Sequence, residues 1–303
     1  MAAQSCQTSE TARKGVHYRF IEPLNERKGV FLVMNLEDRV SDTGVLVPAQ
    51  TLVVVKHDTP GRVKPVPKTR KEAVEESKMF LRYEFRVMRD LQHPNIVRTL
   101  DYHTGVHDYL VMEFAGKEDL GTWLRIMRSL NQDITQVEGF YRTFASISDA
   151  LGYVHQHGII HSDVKPTNIL TPEGGPKLID FGVSQRAGLP KIIAATSGTT
   201  EYKAPEQFRD EITYQSDMYG LGVVLYKFLT NRFPHSASAL TTNSHVLGQK
   251  FPKVNHFGRA KNMPPALAEL VHACLEFNPE NRPSTYQARD TLRAMHEKYR
   301  QAA

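Results

Sequence analysis

His161-Ser-Asp-Val-Lys-Pro-Thr-Asn168, followed twelve residues on by Asp180-Phe-Gly182, is the stretch that decides how this 303-residue chain is read. An aspartate, a lysine two positions on and an asparagine five positions on set three polar groups on one tight loop. Such a set can orient a hydroxyl, neutralise a phosphoryl oxygen and hold a metal. Asp180 follows the apolar pair Leu178-Ile179 and precedes a flexible glycine, an arrangement that suits a hard cation such as Mg²⁺. Either piece alone could be a turn after a strand. In register, the two supply the positioning and charge neutralisation that phosphoryl transfer needs.

Upstream of the loop the pattern is strand-like. Gly29-Val-Phe-Leu-Val-Met-Asn35 and Thr51-Leu-Val-Val-Val-Lys56 are rich in strand formers, and Tyr109-Leu-Val-Met-Glu-Phe114 is a third short apolar run. The segment from His57 to Lys71, with Pro60, Gly61, Pro65 and Pro67, reads as a loop. From Glu72 to Leu91 the period becomes helical, with Phe80, Glu84, Val87, Met88 and Leu91 on one face. A carboxylate in that stripe is costly unless the helix edge leaves Glu84 in water or a buried lysine lies opposite.

After Gly116 helices dominate. Phe144, Ile147, Leu151 and Val154 mark one, and Leu267, Leu270, Val271 and Cys274 another. Asp217 to Thr230 is apolar nearly all round, as a helix buried in a large lobe should be. Ser284-Thr-Tyr-Gln287 reads as the capping box of the last helix. Strands early and helices late predict an α+β fold with a boundary near Ala115.

Composition sets limits on function. The chain is 40% hydrophobic and 23% charged, ordinary for a globular protein with a sizeable core. It has no apolar run of membrane-spanning length, and the polar leader over residues 1–16, expected to be disordered, lacks the core of a secretory signal. The expected location is therefore intracellular, cytoplasmic or nuclear. Cys6 and Cys274 cannot build a disulfide framework or a metal knuckle, and the 13 histidines form no HExxH set. The net charge of +5 is spread out except at Arg62, Lys64, Lys68, Arg70 and Lys71, read as a solvated loop in preference to a nuclear-import tag or nucleic-acid patch.

His161-Ser-Asp163-Val-Lys165-Pro-Thr-Asn168, Asp180-Phe-Gly182 and Ala204-Pro-Glu206 together resemble the signature set of eukaryotic-type protein kinases, from about Gly29 to about Arg293. The resemblance implies a bilobal kinase domain over residues 17–300, with a small β-rich N-lobe carrying one long helix at about 17–115 and a larger helical C-lobe at about 116–300. Lys56 matches the ATP-phosphate lysine. Glu84, nine residues before His93-Pro-Asn-Ile-Val97, matches its helix partner, which would resolve the carboxylate on an apolar face.

By the same resemblance, Asp163 would orient the acceptor hydroxyl and take its proton, and Lys165 would offset charge on the γ-phosphoryl group. Asn168 and Asp180 would hold Mg²⁺. Gly29 would close the phosphate loop, and Glu113-Phe-Ala115 would border the adenine with Met112 behind it. Asp217 and the Glu206–Arg282 pair would be structural. Lys165-Pro and Gly198-Thr199-Thr-Glu-Tyr-Lys-Ala-Pro-Glu206 look like the serine/threonine class, in which Thr199 would bond to Asp163 and Lys165. The implied partners are ATP and a protein substrate, with no membrane and no nucleic acid.

Departures from the family pattern carry their own expectations. If Gly29-Val-Phe31 is the end of a GxGxxGxV frame, Leu24 and Glu26 stand where glycines belong, and the amides are less free to approach phosphates; the alternative is that the frame is misaligned. Ser162 replaces the arginine that in most members meets an activation-loop phosphate. Either this is neutral drift, or the chain needs no activation-loop phosphate and Thr196 and Ser197 have weak switching power. Lys56 and Glu84 lie 28 positions apart, longer than usual, with the basic segment between them. The leading function is a serine/threonine protein kinase, and the rival is a pseudokinase serving as a binding module or scaffold. All five polar residues of transfer, Lys56, Glu84, Asp163, Asn168 and Asp180, favour the former.

Overall fold

In the computed structural model of the chain, the residues described are 18–58, 69–130, 133, 135, 139–186, 200–234 and 263–302. The leader, residues 62–68 of the basic segment, and Thr196, Ser197, Gly198 and Thr199 lie outside them. The chain divides into two compact units, Met1–Lys117 and Glu118–Ala303.

The first unit is an antiparallel sheet with one long helix. β1 (Tyr18–Asn25), β2 (Val30–Asn35), β5 (Leu52–His57), β7 (Tyr109–Glu113) and β6 (Thr99–His103) lie side by side in that order. Side chains alternate between the faces of a strand. One face gathers Phe31, Val33, Val53, Val55, Leu100, Tyr109 and Val111 into a core. The other turns Lys56 toward α1 (Arg70–Met88), where Glu84 receives it. Phe80, Val87, Met88 and Leu91 are buried as their spacing predicts.

The helix starts two residues before the predicted Glu72, because Thr69 and Glu72 form a reciprocal capping box. Arg70 and Lys71 are therefore helical, which corrects the end of the predicted loop. Its start is corrected as well, since His57 belongs to β5.

The first core is partly roofed by a small hairpin that the sequence did not announce, β3 (Arg39–Val40) with β4 (Leu46–Val47). Val47 packs into the core, while the Asn35 amide nitrogen reaches the carbonyls of Glu37, Val47 and Pro48. Arg39 bonds to Asp101 and to the Tyr18 hydroxyl. A row of rings crosses the sheet: Phe20, Phe31, His57, Tyr109 and His103 neighbour one another in turn, one from each strand.

Burial pushes the His57 imidazole down to about 4, with nearby His107 adding to the shift. Unfolded histidine titrates near 6.5. Between these values the unfolded chain binds a proton that the folded one refuses, so stability is full above about pH 6.5 and is lost as pH falls toward 4. His57→Phe is expected to remove on the order of 2 kcal/mol of this acid sensitivity. Urea midpoints of both proteins at about pH 7 and about pH 5 measure it; equal pH dependence in the two would refute the assignment.

The second unit is helical. Along the chain come α2 (Leu120–Ser129), α3 (Phe140–Gln156), the short strands β8 (Ile159–Ile160), β9 (Ile169–Leu170), β10 (Lys177–Leu178) and β11 (Gln185–Arg186), then α4 (Tyr214–Thr230), α5 (Pro265–Cys274) and α6 (Thr285–Ala302). β8 pairs with β11 and β9 with β10, so the predicted catalytic loop is slung between two small ladders. The predicted capping box is present, with Ser284 and Gln287 bonding each other's backbone amides. α4 is buried nearly all round and begins three residues before the predicted Asp217.

Gly222 lets α4 approach α5. A Cβ built there would lie 2.7 Å from Cβ of Cys274 and 3.3 Å from its backbone carbon. Glycine to alanine in a helix ordinarily gains about 1 kcal/mol. Here backbone must move, so Gly222→Ala should destabilise by about 1–3 kcal/mol, read as a lower urea midpoint. A higher midpoint would mean that the helices separate freely. Among the described residues no helix is long and apolar enough to cross a membrane.

Candidate active site

Within the first unit, the puzzle of Glu84 resolves in favour of a buried lysine. Lys56 Nζ lies 2.6 and 2.7 Å from the two Glu84 oxygens. Their side chains are 4% and 2% exposed, so each charge depends on the other for its stability. The extra length between them does not disturb the pair. Met112 is buried beside Val54 on the adjacent strand, and Ala115 is buried just after β7. The Glu113 carboxylate accepts the Arg98 amide at 2.9 Å, which fixes the chain as it leaves the sheet.

Gly29 is not strand but the left-handed residue closing the β1–β2 turn, with φ 63° and ψ 36°. Only Glu26, Arg27 and Lys28 separate β1 from it. The Lys28 amide donates to the Asn25 side chain at 3.1 Å and the Gly29 amide to the Glu26 carbonyl at 3.0 Å. Both amides are spent inside the turn, and Leu24 is a strand residue of β1. Glycine is needed at position 29 for its backbone angle; the two N–H groups beside it are not turned outward to an anion.

Within the second unit, the loop is a rigid polar knot. Pro166 opens a single 3₁₀ turn to Asn168, whose backbone amide bonds to the Lys165 carbonyl. Asp163 Oδ2 accepts from Lys165 Nζ at 2.6 Å and from Asn168 Nδ2 at 2.9 Å. The same Asn168 nitrogen also bonds to the Asp163 carbonyl. The Ile179 amide bonds to the Asn168 carbonyl at 2.9 Å, which sets Asp180 beside the loop. Asp180 itself takes a left-handed φ of 64°.

One atom of this knot is left over. Asn168 Oδ1 is buried and has no hydrogen-bond partner. A buried carbonyl oxygen without a donor is costly unless something positive meets it. Among the described residues no group of three His, Cys, Asp or Glu could hold a metal ion alone. One amide oxygen and one carboxylate suit Mg²⁺, which keeps waters and takes further oxygens from a bound phosphate. Asn168 and Asp180 thus fit the cation expected of them.

The loop hangs from α4. Asp217 accepts the His161 and Ser162 amides at 2.9 and 2.8 Å and also bonds His155 Nε2 at 2.7 Å. Ser162 sits at φ 68°, a conformation that non-glycine residues avoid. The His161 ring packs edge-on against Phe181. Further along, Arg282 grips Glu206 through both guanidinium ends at 2.6 and 2.9 Å, with the arginine side chain fully buried. Its other N–H groups reach the carbonyls of Gln215, Glu276 and Phe277.

Two residues near the loop were missed by the sequence reading. Burial holds the Lys203 ammonium below the usual lysine range, while the Asp163 carboxylate pulls the other way. It is a second lysine close enough to Asp163 to feel its charge. Gln207, 3% exposed, bonds back to Ser162. Lys203 lies inside the 198–206 segment with no role assigned to it, and Gln207 directly follows that segment; a lone polar residue there carries no periodic signal.

A protein kinase domain model matches residues 52–294, a span that holds Lys56, Glu84 and the whole loop and begins after Gly29. The chain is 32% identical over 248 residues to the serine/threonine-protein kinase PkaA of Streptomyces coelicolor, covering 78% of this chain and 44% of that protein. It is 32% identical over 211 residues to a probable serine/threonine-protein kinase of Clostridium perfringens, covering 67% and 29%. It is also 32% identical over 212 residues to the Aurora kinase of Schizosaccharomyces pombe, covering 68% and 56%. The chain spans about half the length, or less, of these relatives.

Proposed function

Starting from the fact that the chain belongs to the protein kinase family, we propose that it is an active serine/threonine protein kinase, moving the γ-phosphoryl group of ATP to a hydroxyl of a protein substrate. The observation that carries this is the Asp163 carboxylate, held at 2.6 Å by Lys165 and 2.9 Å by Asn168 while Asn168 keeps one oxygen unspent. A carboxylate so fixed is preorganised to align a hydroxyl and receive its proton. Lys165 adds positive charge where charge builds on the transferring group. Asn168 and Asp180 would hold Mg²⁺, which neutralises phosphate charge when bound. Lys56, held in place by Glu84, would bind phosphate oxygens. An intracellular location, cytoplasmic or nuclear, follows from ATP as the donor.

The test is to incubate the purified chain with labelled ATP, Mg²⁺ and myelin basic protein, beside an Asp163→Asn control. Label in the wild type alone supports the enzyme. No label in either supports the second reading, a pseudokinase acting as a scaffold. That reading draws on the β1–β2 turn, whose amides at Lys28 and Gly29 are already bonded. ATP held without a phosphate loop predicts a KM for ATP above the common enzymic range of micromolar to millimolar.

We further propose independence from activation-loop phosphorylation. Ser162 offers a hydroxyl near the Ile160 carbonyl, at 3.4 Å, in place of a guanidinium. Thr196→Ala with Ser197→Ala should therefore keep kcat within about threefold, less than one hydrogen bond to a charged group is worth. Loss of nearly all activity in a folded double variant would end the proposal.

A further inference from the structure

The Ser162 peptide is clamped from two sides. Its N–H is held by Asp217 Oδ1 at 2.8 Å. Its carbonyl, on the peptide that leads into Asp163, accepts from Gln207 Nε2 at 2.9 Å. The other end of the same carboxamide accepts the Ala204 amide at 2.8 Å, so both bonds agree on which way the amide points. Gln207 is buried and directly follows Glu206, which Arg282 anchors. A rigid point of the fold is thus joined through one neutral side chain to the turn that carries Asp163.

That turn needs holding. Ser162 sits in the left-handed region at φ 68°, where a residue with a Cβ is strained and persists only if its surroundings impose it. Its own hydroxyl stays local, at 3.4 Å from the Ile160 carbonyl, and does not reach the 204–207 segment. Asp217 fixes the amide side of the strained residue. Among the described residues, the Gln207 carboxamide is what meets the carbonyl side.

We propose that Gln207 is a positioning residue for Asp163: it locks the strained Ser162 carbonyl and ties the catalytic loop to the 204–207 segment permanently, without a phosphate. This rests on the reading of the chain as an active kinase. It also gives that reading a physical basis for phosphate independence, since a neutral two-bond bridge cannot be switched by charge.

The experiment uses the full chain with Gln207→Met, which loses both bonds, and Gln207→Glu, which keeps an acceptor for Ala204 but sets a carboxylate against the Ser162 carbonyl. With myelin basic protein as acceptor, kcat should fall about tenfold in Gln207→Met, the worth of one lost hydrogen bond, and further in Gln207→Glu. KM for ATP should stay within about twofold. Repeating Gln207→Met in a Ser162→Gly background should shrink the loss to about threefold, because glycine takes the left-handed angle without help. An unchanged kcat in Gln207→Met, or an equal loss in both backgrounds, overturns the proposal.

Amide hydrogen exchange separates this from the kinase reading itself. Peptides spanning residues 161–168 should exchange faster in Gln207→Met than in the wild type, with those of α4 unchanged. If the wild type transfers no phosphate, the enzyme reading fails, and exchange alone decides the tie. Unchanged exchange in 161–168 refutes it.

Discussion

Asp163→Asn is expected to lower the rate of phosphoryl transfer by about 10²–10⁴-fold, the range for removing a positioned proton acceptor. The change is nearly isosteric. It leaves one oxygen that can accept from Lys165 or from Asn168, which now sit 2.6 and 2.9 Å from the same Oδ2. It replaces the other oxygen with a donor and removes the charge that Lys165 balances. The fold should survive, because the loop also hangs from Asp217 and from the Gln207 bond. The effect should therefore appear in kcat, with the thermal midpoint within a few degrees of wild type. Initial velocities across a range of ATP, with a melting curve on the same sample, provide the check. A variant that keeps a third of the wild-type kcat would remove Asp163 from the reaction.

The second large effect concerns stability. Arg282→Leu should cost about 3–5 kcal/mol, because it strands the Glu206 carboxylate where water cannot reach it. Arg282 makes contacts with both Glu206 oxygens and with three backbone carbonyls, and it packs over the Tyr219 ring. For a unit of this size the midpoint should fall by roughly 6–20 °C. Adding Glu206→Gln should recover part of the loss, since a neutral amide is cheaper to bury than an unpaired charge. Melting curves of the single and double variants decide. If the double variant melts below the single one, the stranded charge is not the cause.

How much of this could be read beforehand depends on locality. Asp163, Lys165 and Asn168 lie within six residues, so spacing alone brings them together. Glu84 was partly legible: a carboxylate in an apolar stripe asks for a partner or for water, and it was the resemblance that named Lys56 as that partner. β1 was missed because Ile21 and Pro23 face water while Glu22 is half-buried, against the usual alternation. The β3–β4 hairpin has two-residue strands, too short for any period. The role of Gly29 was half legible: the resemblance placed it at the end of a loop while the strand pattern took it into β2, and neither showed that Asn25 and Glu26 would take the amides beside it. Gln207 acts through a backbone carbonyl 45 positions away. Nothing in the residue type signals such a bond.

The close seam between Gly222 and Cys274 makes the protein its own stopwatch. The Cys274 thiol is sealed in the core and burial pushes it up to about 12, so no reagent in solution meets a thiolate there while α4 and α5 stay together. Each time the helices part, the sulfur is exposed and its reactivity returns. In a Cys6→Ser background, the rate at which a thiol reagent is consumed counts those openings directly, with no dye or engineered label. The protein thus carries a native chemical gauge of how often the interior of its helical unit comes undone.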